Sequence, residues 1–439
     1  MRKWKVAILG AAGRDFHNFN TVYRDRDDVD VVFFTATQIP DISGRKYPAS
    51  LAGKNYPNGI PIKDEKSLAE LIKLYDIDEC VLSYSDLPYA YVMHLGSKVM
   101  AAGARFSMLG PKETMIKSNK PVIAVVATRT GCGKSQTSRR VVEILKEGGQ
   151  KVVSIRHPMP YGNLEEQRVQ RYATLEDLIK YKCTIEEMEE YEPHIAMGSV
   201  IYAGVDYQDI LNQAETEADV IIWDGGNNDY SFYKPDFTIT VADPFRPGHE
   251  IGYYPGEVNL RLADVVIINK VNSADRSNVE IVEKNTRQYN PNAIIIKADS
   301  VLTVDNPEMI KGKRVLAIED GPTLTHGEMT TGAGIEAAKL YGAADFVDPR
   351  PYVVGKIAET FKKYPNIGKL LPAMGYGDQQ MKDLEETINK VDCDAVVIGT
   401  PIDLQRFIKI NKPATRVRYD LSLDAKETLK RIMQERGLV

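Results

Sequence analysis

The run VIAVVAT at 122–128, followed at once by Arg129-Thr-Gly-Cys-Gly-Lys134-Ser135, constrains this chain more than any other stretch. Six consecutive apolar residues predict a strand buried on both faces, and a Gly-rich turn leads from it into an amphipathic helix at 136–146. The Gly148–Gly149 turn and a second apolar strand at 151–155 complete a βαβ unit. A loop of this kind at the carboxyl end of a parallel strand is a phosphate cradle, the P-loop. Its usual pattern is GxxxxGK[ST], and here Thr128 stands where the first Gly belongs. The half that does the chemistry is intact.

Backbone N–H groups over 131–135 can form an anion nest, and the helix start adds its positive dipole end. Thr130, Gly131, Cys132, Gly133, Lys134, Ser135 and Gln136 are therefore read as the nucleotide-binding residues. Lys134 would reach the β- and γ-phosphates as a catalytic cation, and Ser135 would offer its hydroxyl to Mg²⁺. The strand Val-Ile-Ile-Trp at 220–223 ends in Asp224-Gly-Gly, which supplies the acidic metal partner expected on a neighbouring strand. Asp224 is thus read as catalytic and, with Ser135, as a metal ligand. After another apolar strand come Asn269-Lys270-Val-Asn272, resembling a guanine-reading NKxD but with an amide in place of the carboxylate. Asn269 and Lys270 are placed at the nucleotide, and the choice between ATP and GTP stays open.

Around this centre apolar runs alternate with amphipathic segments of helical length, which indicates an α/β architecture with mainly parallel sheet. Residues 1–118 hold strand candidates at 5–9, 31–35, 79–83 and 105–109 and read as a Rossmann-like α/β domain, although GAAGRD lacks the GxGxxG fingerprint. Residues 119–299 form the P-loop nucleotide-binding domain, with further strands at 237–241, 265–268 and 293–296. Residues 300–439 form a C-terminal α/β region that either stands alone or completes the P-loop sheet. Its strands are expected at 314–318, 395–398 and 415–419, and its helices at 334–340, 380–389 and 425–435.

A net charge of −5 over 439 residues makes no electrostatic case for nucleic acid or an anionic membrane as partner. The four cysteines, Cys80, Cys132, Cys183 and Cys393, are far apart, which argues against zinc and against a disulfide framework. No stretch approaches the ~20 apolar residues of a membrane helix. A cytoplasmic protein is expected, and a homodimer as the commonest assembly.

Several polar loops suit a second, small, phosphorylated or acidic substrate. Arg156-His157-Pro follows the second strand of the βαβ unit, Glu192-Pro-His194 follows an acidic helix, and Arg246-Pro-Gly-His249 lies further on. Asp320 and His326 sit after the strand at 314–318, and Thr331-Gly-Ala-Gly334 opens a helix as a second candidate anion site. Arg156, His157, Arg246, His249, Asp320 and His326 are the substrate-binding candidates. Arg246→Ala is expected to weaken the substrate-dependent rate more than nucleotide binding. His17, in GRDFHN, is a further ligand candidate at the top of the first sheet.

Taken together, GAAGRDFHNFN, TATQIP, LAGKNYPNGIPI, TRTGCGKSQTSR, IRHPMPYG, EEYEPHI, VIIWDGGNND, ADPFRPGHE with YYPGEVNLRLADVVIINKV, and EDGPTLTHG resemble a family of predicted GTPases of archaea and bacteria. That family is related to cyclic 2,3-diphosphoglycerate synthetase, and the resemblance spans nearly the whole chain. It implies ATP-driven activation of a phosphate on a small acid, with Lys134, Ser135 and Asp224 holding Mg-nucleotide and Arg129 neutralising the transferring phosphate. Arg156, His157, Arg246 and His249 would then hold the acid. The other reading is a regulatory GTPase acting through a protein partner.

Overall fold

The computed structural model describes residues 2–11, 13–36, 44–157, 162–226, 229–321, 324, 329–373 and 377–439. It is a mixed α/β structure of three mainly parallel sheets. The first has the strand order β3-β4-β2-β1-β5-β7. Its strands are β1 (Trp4–Leu9), β2 (Val29–Ala36), β3 (Lys46–Tyr47), β4 (Ile60–Asp64), β5 (Glu79–Leu82) and β7 (Arg105–Met108). Only the β3–β4 pair is antiparallel. The two-residue β6 (Leu87–Pro88) leaves this sheet and pairs with β14 (Tyr253–Tyr254), which ties the amino-terminal segment to the middle of the chain.

The second sheet has eight strands in the order β10-β11-β9-β12-β8-β13-β15-β16. They are β8 (Val122–Ala127), β9 (Val152–Arg156), β10 (Gln170–Tyr172), β11 (Val200–Ala203), β12 (Val220–Asp224), β13 (Phe237–Ala242), β15 (Val265–Ile268) and β16 (Ile294–Lys297). β8 and β12 are buried along their whole length, as an all-apolar run between two helix layers must be. Direct pairing of these two strands sets Asp224 opposite Val125 and carries its carboxylate to the loop that leaves β8.

The third sheet contains β17 (Ser300–Val304), β18 (Arg314–Asp320), β19 (Asp345–Phe346), β20 (Leu371–Ala373), β21 (Ala395–Ile398) and β22 (Ala414–Leu421). Among the described residues the carboxy-terminal region therefore builds its own sheet and adds no strand to the P-loop sheet. Its last helix, Leu423–Glu435, belongs elsewhere: Ala425, Leu429, Ile432 and Met433 join the core under the P-loop sheet with Ile123, Val141 and Ile267. Burying each of the three larger side chains there contributes about 1.5–3 kcal/mol.

The short strands β3, β4, β10, β11, β17 and β20 were not expected from the sequence. They are two to five residues long and lie at or near sheet edges, so their apolar pattern is too brief to stand out. The acidic helix also differs from expectation. It spans Ile185–Ala196 and continues through Pro193, because that proline lies in the last turn, where few further N–H bonds are lost.

Candidate active site

The phosphate loop leaves β8 and enters the helix Lys134–Glu147 through two glycines with left-handed backbones, Gly131 (φ 82°) and Gly133 (φ 105°). A Cβ on Gly133 would run into the side-chain amides of Asn269 and Gln136, so only glycine fits. Asn269 donates to the Cys132 carbonyl at 2.9 Å, and Lys270 donates to the Gly131 carbonyl at 2.6 Å and pairs with Asp243 at 3.0 Å. Both residues brace the loop, and Lys270 also lines the cavity that opens over it. Asn272 spends its amide on the backbone of Ser300, accepting at 3.1 Å and donating at 3.2 Å.

Asp224, buried at the end of β12, is the hub of the site. Lys134 pairs with its Oδ1, and Ser138 donates to the same oxygen at 2.9 Å. His194 Nε2 lies 3.2 Å from Oδ2, with its Nδ1 3.2 Å from Ser154 Oγ. Arg156 pairs with Asp224 at 3.4 Å and with Glu190 at 2.7 Å. Burial opposes the charge on Asp224, yet Lys134, Arg156 and the His194 hydrogen bond hold its carboxyl well below the usual range. Burial and the Arg156 charge lower the pKa of Lys134, with Asp224 opposing.

Ser135 Oγ donates to Glu190 at 3.4 Å, so a hydroxyl and two carboxylates, Asp224 and Glu190, surround the start of the helix. Among the described residues no group of three or more His, Cys, Asp or Glu is assembled for a metal. A hard cation here would rest on one or two side chains and on substrate phosphates, the habit of Mg²⁺, and this oxygen set fits it.

One cavity opens over the loop. Its cationic end is Thr130, Gly131, Gly133, Lys134, Ser135 and Gln136, with Arg156 beside them. Its opposite walls are acidic: Glu186, Glu189 and Glu190 from the acidic helix, and Glu319, Asp320 and Glu336 from the third sheet and its helix. Phe245, Leu302, Met329 and Tyr419 add apolar surface. Asp320 thus lines the cavity as a substrate candidate should, and His326 falls outside the described residues.

The other expected substrate residues are held away from the cavity. Arg246 donates to the Thr130 carbonyl at 2.8 Å and pairs with Asp243 at 2.9 Å, so it braces the loop. Arg129, expected at the transferring phosphate, does line the cavity, with its buried guanidinium on Asp86 at 2.7 Å and against His249 and its carbon 3.6 Å above the Tyr253 ring. His249 is that partner and stacks on Tyr253.

His157 stacks on Phe232 and sits 3.3 Å from Asp229, which pairs with Arg14 at 2.7 Å. His17 stacks on the same Phe232, at 4.1 Å between ring centres, and bonds to the Thr114 carbonyl. Three of the sequence motifs therefore meet as a buried junction between the first two sheets. Thr331-Gly-Ala-Gly334 is not a free anion site either. The Gly334 and Ile335 N–H groups at that helix start already bond Glu319, at 3.1 and 2.7 Å.

Glu190, Glu319 and Asp86 were missed. Glu190 carried a signal in the Thr184-Ile-Glu-Glu-Met-Glu-Glu run, whose Thr184–Glu187 capping box starts the acidic helix, but charge runs read first as solvated surface. Glu319, beside Asp320 in EDGPTLTHG, and the lone loop acid Asp86 carried no signal of their own, and only folding brings them to the site.

Over 434 residues the chain is 61% identical to arginine synthetase ArcE of Thermococcus kodakarensis, covering 99% of this chain and 97% of that protein. The chain belongs to the arginine synthetase ArcE family. It is also 25% identical over 282 residues to cyclic 2,3-diphosphoglycerate synthetase of Thermococcus sibiricus, 59% of this chain and 62% of that one. Among solved structures, LpxK of Aquifex aeolicus with ATP matches at 13% identity over 84% of this chain and 99% of that chain, TM-score 0.43. No family model matches the chain. Both of these sequence relatives are synthetases, so the link to the diphosphoglycerate enzyme is present but distant, and the GTPase reading gains no support from them.

Proposed function

We propose that this chain is a Mg-nucleotide-dependent synthetase that forms arginine by phosphorylating a small amino acid at the oxygen to be displaced. The observation that carries this is the cavity over the loop, with its cationic end facing acidic walls. A phosphorylated acid would meet repulsion from six carboxylates, whereas an amino acid with an ammonium or guanidinium group would find partners there. The expectation of an acidic small substrate survives only in the α-carboxylate of that amino acid.

Arginine carries three nitrogens on its terminal carbon. The precursor with one oxygen in place of a nitrogen is a ureido amino acid, whose oxygen is a poor leaving group until phosphorylated. Nucleotide phosphates would lie along the 131–135 N–H groups, with ATP the expected donor. Lys134 would turn from Asp224 to the β- and γ-phosphates, and Asp224 would keep Ser138 and His194 in place. Mg²⁺, held by Ser135 with Asp224 and Glu190, supplies neutralisation of phosphate charge when bound. Arg246, Asn269 and Lys270 keep the loop in its phosphate-binding shape, so their work is positioning.

The test is arginine formation from the ureido amino acid, ammonia and Mg-ATP or Mg-GTP, with Lys134→Ala as the blank. Arginine produced in step with nucleoside diphosphate supports the reading. Turnover stimulated by 2,3-diphosphoglycerate, and indifferent to the ureido acid, would sink it.

A further inference from the structure

We propose that Glu319 is the base that takes a proton from the nitrogen nucleophile as it enters the product, a role that rests on the arginine-forming reading above. Glu319 lies near the end of β18, is buried, and lines the same cavity as the phosphate loop. Each carboxylate oxygen accepts one backbone N–H, Oε2 from Gly334 and Oε1 from Ile335, which fixes the head and leaves each oxygen a second lone pair.

Glycines close the cradle. A Cβ on Gly399 would stand 2.6 Å from Oε2 and one on Gly334 3.0 Å from Oε1, and one on Gly332 would collide with Oε2. The site is shaped around a carboxylate that no cation pairs among the described residues. Asp320 beside it and Glu336 on the helix Ala333–Leu340 are the charged groups facing it, while 399–401 brings Gly, Thr and Pro. Burial pushes Glu319 up to about 7, opposed by the two N–H bonds and aided by Asp320 and Glu336.

Asp224 is the contrast. Two cations hold it ionised, so it is suited to charge work and Glu319 to proton work. Ammonium gives one proton to Glu319, and the freed lone pair forms the C–N bond to the phosphorylated carbon. The C–O bond breaks with its electron pair on the departing phosphate, which carries off a second proton from the new nitrogen. Glu319 then releases its proton to solvent.

The experiment compares ammonia with hydroxylamine, which is already neutral at neutral pH, in the wild type and in Glu319→Gln. The wild type at saturating ammonium should lose turnover as pH falls through about 7 and keep it with hydroxylamine. Glu319→Gln should lose about 10²–10⁴-fold with ammonia and far less with hydroxylamine, with nucleotide binding unchanged. Equal losses with both nucleophiles, or an acid limb common to both in the wild type, overturn the assignment without touching the reading of the reaction. A wild type that makes no arginine from either nitrogen source overturns that reading, and this role with it. A variant that no longer binds nucleotide leaves the decision to the wild-type pH comparison, which needs no substitution.

Discussion

Replacing Asp86 by Asn tests whether the first sheet's loop controls the phosphate site. Asp86 has a left-handed backbone (φ 59°), and Asn tolerates that conformation, so the substitution isolates the charge. One carboxylate oxygen accepts from Arg129 Nε at 2.7 Å; the other accepts from Thr130 Oγ1 at 2.7 Å and Thr130 N at 3.3 Å. Arg129 is 2% exposed at its side chain, so losing the carboxylate leaves a cation with little water. Breaking a buried pair costs about 3–5 kcal/mol. The amide oxygen of Asn still accepts one bond from a charged donor, which offsets about 1–2 kcal/mol of that loss. The expected net loss is therefore about 2–3 kcal/mol of stability. Because Thr130 is in the loop, at least one decade of nucleotide affinity, about 1.4 kcal/mol, should go with it.

Calorimetric titration with Mg-ATP and denaturant unfolding measure the two quantities. Arg129→Met removes the stranded charge, so the double variant should be less destabilised than the sum of the singles. An Asp86→Asn protein that binds nucleotide and unfolds as the wild type does would refute the coupling of loop and first sheet.

Arg246→Ala should weaken nucleotide binding as much as turnover, because its bonds go to Thr130 and Asp243; a selective loss of substrate-dependent rate would restore it to the substrate. Gly399→Ala should destabilise the chain by about 1–3 kcal/mol through overpacking on Glu319 and the Gly334 N–H, seen as a lower denaturant midpoint. Stability should fall as pH drops from about 6.5 toward 4. Burial and Arg14 lower His17 to about 3 and burial with nearby cations lowers His157, so their unfolded forms bind protons first and their contribution, full above 6.5, is lost on acidification. Asp229, raised by burial to about 6, and Glu319, raised to about 7, act in the opposite sense, so the four groups roughly cancel between about pH 6 and 4.5 and the fall is concentrated outside that window. His17→Gln should tip that balance, so that stability rises by roughly 1.4 kcal/mol per pH unit on acidification between about pH 6 and 4.5; an unchanged pH dependence of unfolding would show that His17 does not contribute.

The apolar runs at 122–127, 220–224 and 265–268 and the turn Gly131-Cys-Gly133-Lys134 were readable without coordinates, because strand burial and the φ demands of a phosphate loop are local properties. Lys134, Ser135 and Asp224 follow from them. Arg129, His157, Arg246 and His249 illustrate the limit. Each is a polar residue in a loop at the correct edge of a sheet, and sequence cannot say whether such a side chain turns to the ligand or to a neighbouring loop. Tertiary packing turned Arg129 toward Asp86, 43 positions away, and His157 toward the Arg14–Asp229 pair. It likewise filled the Gly334 helix start with Glu319 and brought the acidic helix over the phosphate loop. Local sequence determined the Gly-rich turn and the strand ends around it; the burial of distant charges against one another decided which residues are left to face the cavity beside them.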